Sequence, residues 1–123
     1  MDNKTVNILK RILWYLPMLD VLYNKIKTLT DQEIQVVSDS YALTQILTNI
    51  HALVIQLTDE DIAVELAKIG AASLETCRNV ASHDYDSLDW ARVKRICEKL
   101  TSSRSRMILE ECLKKLQEHK IGC

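Results

Sequence analysis

The residues best suited to chemistry fall in one short stretch, Cys77-Arg78-Asn79-Val80-Ala81-Ser82-His83-Asp84-Tyr85-Asp86-Ser87-Leu88-Asp89. Arg78, Asn79, His83 and Tyr85 put a guanidinium, an amide, an imidazole and a phenol within eight residues. That set suits phosphate chemistry. Breaking an RNA strand with its own 2′-hydroxyl needs a base for the hydroxyl proton, an acid for the leaving oxygen and positive charge for the phosphorane. Imidazole is the side chain whose unperturbed pKa lies near neutrality. Guanidinium stays charged and holds two phosphate oxygens at once. Such a reaction requires no metal, and the sequence offers no carboxylate cluster to hold one.

Spacing limits how these groups cooperate. Asn79 and His83 are four residues apart and share a helix face, so the amide can orient the imidazole. Arg78 and His83 are five apart, about 140° around a regular helix. One straight helix does not aim both at one phosphate. Either the helix unwinds near Ser82, or a second copy completes the site across a two-fold axis.

Helical periodicity runs through the chain that must hold this stretch. Gly and Pro are scarce, at 2 and 1 residues, and the hydrophobic fraction of 47% is enough for a core. Leu9, Leu13, Leu16, Leu19, Leu22, Ile26 and Leu29 recur at intervals of three and four and predict a first helix over 3–29, kinked or broken near Leu16 by Pro17. Thr30-Asp31-Gln32-Glu33 reads as a capping box opening a second helix that runs to about Leu57. Thr58 is expected to cap a third helix ending near Ala81, and Ser87 a fourth, with Asp89 in its first turn. Polar residues 101–106 interrupt the last apolar stripe and leave one bent helix or two, the second capped by Ser103, both open. Short connections then give an all-α, up-and-down antiparallel bundle of four to five helices, one domain over residues 1–123.

Arg78-Asn79-x3-His83 resembles the Arg-x4-His motif of HEPN ribonucleases, and the longer pattern through Tyr85, Leu88 and Asp89 is similar to the HepT-like toxin branch. The resemblance implies a HEPN-type bundle and a homodimer with a composite active site built on Arg78, Asn79 and His83. It implies a metal-independent endoribonuclease toxin of a type VII-like toxin–antitoxin pair. It also implies a cognate antitoxin with a minimal nucleotidyltransferase fold, which transfers AMP to the tyrosine matching Tyr85 and so silences the nuclease. The alternative is a non-catalytic helical subunit that docks such a nucleotidyltransferase; a pure docking module has no use for both Arg78 and His83.

Other features fill in the picture. Residues 92–106 carry a local net charge of +5 in a chain whose total is −1. Arg92, Arg95 and Arg104 there are candidates for an RNA-backbone track. His51, in the second helix, reads as a surface or hydrogen-bonded histidine. Trp14 and Tyr15 read as packing residues and Trp90 as a dimer-interface residue. Cys77, Cys97, Cys112 and Cys123 form no CxxC pair, which argues against zinc and for buried free thiols in a reducing, cytoplasmic setting. No cofactor is implied. No stretch approaches the roughly 20 apolar residues of a membrane span.

Overall fold

The computed structural model describes residues 3–69 and 89–122. The described residues form six α-helices: α1 (Asn3–Ile26), α2 (Asp31–Val36), α3 (Ser38–Val54), α4 (Glu60–Lys68), α5 (Trp90–Leu100) and α6 (Ser103–Gly122). No strand occurs among them. Nor, among them, is any helix long and apolar enough to cross a membrane.

α1 is the central post. Its face of Leu9, Ile12, Leu16, Leu19 and Ile26 is buried against α3, α5 and α6. Pro17 does not break it: the helix is continuous from Asn3 to Ile26. Proline costs a helix interior about 3 kcal/mol. Here Leu16 and Leu19, buried on either side of it in sequence, hold the turn against the core while Pro17 itself is exposed. Packing of an amphipathic face outweighs local propensity.

The capping box is present. Glu33 N–H donates to the Thr30 hydroxyl at 3.2 Å, and Thr30 N–H donates to the Glu33 carboxylate at 2.9 Å. The helix it opens is short, however. The expected second helix splits at Val37, whose backbone is extended at φ −101° and ψ 138°. Two β-branched residues, Val36 and Val37, precede Ser38-Asp39-Ser40, a run that competes for its own backbone groups. α3 therefore starts afresh, with no side-chain cap.

α1 and α3 are antiparallel. Lys25, near the end of α1, lies 3.9 Å from Asp39 at the start of α3. At the opposite end Lys4, Asn7, Ile8 and Arg11 line a groove with Leu53 and Gln56. α5 also runs antiparallel to α1. Lys94, one turn into α5, donates to the Leu29 carbonyl beyond the end of α1 at 2.7 Å. Thr101, past its end, borders Leu16 and Asp20. Burial raises the Tyr23 phenol above its ordinary value, and Glu98 of α5 adds to the rise.

The last apolar stripe is two helices. Ser102 forms the corner: its hydroxyl donates to the Lys99 carbonyl at 2.7 Å and accepts from Ser105 N–H at 3.3 Å. The capping residue is thus Ser102, and Ser103 is the first residue of α6. Two other caps move in the same way. Asp59, not Thr58, caps α4, accepting from Asp61 N–H at 2.9 Å and Ile62 N–H at 3.2 Å. Asp89 caps α5, accepting from Arg92 N–H at 3.2 Å, rather than sitting in a first turn begun by Ser87. At both places two residues with capping side chains compete, and the carboxylate takes the position.

Candidate functional site

Arg78, Asn79, His83 and Tyr85 lie outside the described residues, as do Cys77, Ser87 and Leu88. What the structure defines is the frame on either side of them. Ile69, the C-cap of α4, and Trp90, the first residue of α5, are both core residues, 2% and 1% exposed. The chain that carries the motif therefore has both ends seated in the same core. Asp89, the last residue of the sequence pattern, holds the first turn of α5.

Trp90 corrects an expectation. It lies in the core of this chain and is not on a surface where a second copy could meet it. Its position opens the buried face of α5 shared by Val93, Ile96, Cys97 and Leu100. Cys97 and Cys112 are buried, in keeping with their places on the apolar stripes. Burial pushes the Cys112 thiol above its ordinary value, and Glu65 across the α4–α6 contact adds to it.

The basic segment divides once it is folded. Arg92, Arg95 and Lys99 are spaced by three and four, share one face of α5, and are exposed. Arg104 is exposed in the first turn of α6, a turn without an acidic residue, so side chain and helix dipole present the same sign there. The other two cations face elsewhere. Lys94 is bonded to the Leu29 carbonyl. Arg106 turns toward a groove of about 420 Å³ between α1 and the α5–α6 corner, a groove that also contains Asp20. The candidates Arg92, Arg95 and Arg104 thus remain available to solvent, while the +5 of the sequence segment is not concentrated on one face.

His51 also departs from expectation. It is 7% exposed in the last turn of α3, and its Nδ1 has no hydrogen-bond partner among the described residues. The apolar neighbours Ile50 and Leu47 draw that face inward, and the imidazole goes with it.

One feature was read only as packing. Trp14 is 54% exposed on α1. The Arg11 guanidinium lies over its ring at 4.4 Å from the centroid and over the Tyr15 ring at 5.5 Å. The two rings meet edge to face, with centroids 5.1 Å apart. The available signal was the i, i+3 and i, i+4 spacing of Arg11 to Trp14 and Tyr15.

Compared with known proteins, the chain matches no family model, and neither a curated protein nor a solved structure is significantly similar to it.

Proposed function

We propose that this chain is a metal-independent endoribonuclease of the HepT-like toxin type, with a HEPN-type bundle and an active site completed between two copies. The observation that carries the reading is the pattern Arg78-Asn79-x3-His83-x-Tyr85-x2-Leu88-Asp89. Supporting it are an all-helical frame that seats both flanks of this pattern in one core, and the exposed cations Arg92, Arg95 and Arg104 that follow it in sequence.

The chemistry follows from the residue types. His83 takes the proton of the RNA 2′-hydroxyl, and the 2′-oxygen attacks the adjacent phosphorus. Arg78 holds the two non-bridging oxygens as negative charge builds on them. The bond to the 5′-oxygen breaks, and the imidazolium of the partner copy's equivalent histidine returns a proton to that leaving group. The products are a 2′,3′-cyclic phosphate and a free 5′-hydroxyl. Asn79, four residues before His83 in sequence, fixes the imidazole. AMP placed on Tyr85 by a minimal nucleotidyltransferase adds bulk and negative charge beside His83, and repels incoming phosphate.

The test is cleavage of single-stranded RNA by purified wild type, Arg78→Ala and His83→Ala. Loss of the proton-transfer group is expected to slow cleavage about 10²–10⁴-fold. Loss of the guanidinium removes about 2–4 kcal/mol of transition-state stabilisation, by analogy with other preorganised donors. Activity should survive EDTA, and circular dichroism should show both variants folded. If folded wild type leaves RNA intact, or the variants cut equally well, the chain is a docking module for the nucleotidyltransferase instead.

A further inference from the structure

We propose that the outer face of α1 and its groove with α3 bind single-stranded nucleic acid, with a base stacked on Trp14 and phosphates held by Arg11 and its neighbours. The site is built from residues other than Arg78 and His83 and does not need their chemistry.

The stripe begins with helical spacing. Lys4, Asn7, Arg11 and Trp14 follow one another at intervals of three and four, so they share one side of α1. All four are exposed. Lys4, Asn7 and Arg11 line a groove of about 560 Å³ closed on the far side by Leu53 of α3 and by Gln56 in the turn that follows it. The groove is therefore walled by two helices and floored by Ile8, with polar groups at its rim.

Among the described residues the charge there has one sign. Residues 3–19 contain Lys4, Lys10 and Arg11 and no acidic residue, and α3 contributes none between Ser40 and Val54. In a chain of net charge −1, this is a local field favourable to an anion.

The aromatic component distinguishes it from an ordinary solvated face. Arg11 is stacked on Trp14 and Tyr15 at cation–π distances, which orders a side chain that would otherwise sample many rotamers. The planar guanidinium keeps donors at its edge for a phosphate while it lies on the rings. The indole leaves more than half of its surface in water. An ordered cation beside an exposed indole, along a groove with no acid among its described lining residues, matches how single strands are held: backbone in a positive groove, bases on aromatic faces, without base-specific hydrogen bonds. A protein segment would also cover an exposed tryptophan. The adjoining groove rim of lysine, asparagine, arginine and glutamine favours phosphate over an apolar helix.

The experiment uses the full chain and a 2′-O-methyl oligoribonucleotide of about 12 nucleotides, within the span such surfaces cover. Blocking the 2′-hydroxyl prevents cleavage, so the result does not depend on the ribonuclease reading. Binding is followed by intrinsic tryptophan emission and by fluorescence anisotropy. Trp90 is buried, so quenching by the oligonucleotide reports Trp14. Wild-type emission should fall on binding. Trp14→Ala should weaken affinity about 5- to 100-fold, and Trp14→Phe, which keeps a stacking face, much less. Arg11→Glu should weaken binding and lower the salt dependence. Unquenched emission with Trp14→Ala binding as tightly as wild type would overturn the proposal. So would a wild-type dimer that Trp14→Ala dissolves and the oligonucleotide does not disturb, which would make the groove a seam between copies.

Discussion

Two cationic surfaces flank α1, and they are built on opposite plans. On the α5–α6 side the charges are numerous and exposed. Arg92, Arg95 and Lys99 stand along a helix face, Arg104 stands at a helix start, and no aromatic ring holds any of them in the described contacts. On the α3 side the charges are fewer, and the decisive one is stacked in place by Trp14 and Tyr15. A cloud of exposed arginines attracts a polyanion at long range, and salt screens it. An arginine fixed against an indole offers a position as well as a charge. On the two readings proposed above, the first surface would serve to capture a strand and the second to register it.

The most severe way to break this contrast is to remove what seats α5. Trp90 is 1% exposed and heads the buried face of that helix. Trp90→Ala should cost about 3–5 kcal/mol, as large aromatic truncations in cores do. Urea denaturation followed by circular dichroism measures it, and a loss below about 1 kcal/mol would mean that α5 is not anchored there.

Salt dependence sharpens the comparison at intermediate size. Each phosphate contact removed from a single strand lowers the slope of log affinity against log salt by about 0.7. Arg95→Glu with Arg104→Glu should flatten that slope. Trp14→Ala should leave the slope near the wild-type value while lowering affinity throughout. Parallel lines for the double reversal would show that the α5–α6 face does not touch phosphate.

The smallest effect lies away from both surfaces and serves as their control. Thr30 holds the Glu33 carboxyl below the usual carboxylate range, chiefly through its backbone N–H and also through its hydroxyl. A carboxyl with a lowered folded pKa adds stability above its unfolded pKa and loses it as pH falls through the folded one. Wild type should therefore lose this contribution in acid below about pH 4.5, whereas Glu33→Gln should show no such loss from this site. Binding at either cationic face should be the same in both proteins. Melting curves between about pH 3 and pH 7 measure the stability difference.

Much of the helical frame was legible because period and capping are local. The α1 stripe and the Thr30–Glu33 box needed only neighbours in sequence. Where two local rules competed, sequence could not choose: Thr58 against Asp59, Ser87 against Asp89, and helix continuation against two β-branched valines at Val37. Pro17 was resolved by partners distant in the chain, which supply the packing that carries α1 through. Trp90 and His51 were misjudged for the same reason, since burial belongs to the assembled bundle. The motif chemistry was legible as residue types and spacing. The exposed Arg11–Trp14 stack was missed because an aromatic on an amphipathic helix is more often core.

The bond from Lys94 to Leu29 also orders events in time. It joins residues 65 apart in the chain, whereas α1 and α3 meet across a connection of about a dozen residues. Closing a long loop must forfeit chain freedom before any contact returns it, so close-spaced partners assemble first. The α1–α3 pair is therefore expected to form before α5 docks on it, an order that refolding kinetics of helix-specific variants would check. Interactions made after the folding barrier govern how fast a protein comes apart rather than how fast it forms. Lys94 is a clasp of that kind, so Lys94→Met is expected to speed unfolding in stopped-flow denaturation while leaving the speed of assembly nearly untouched.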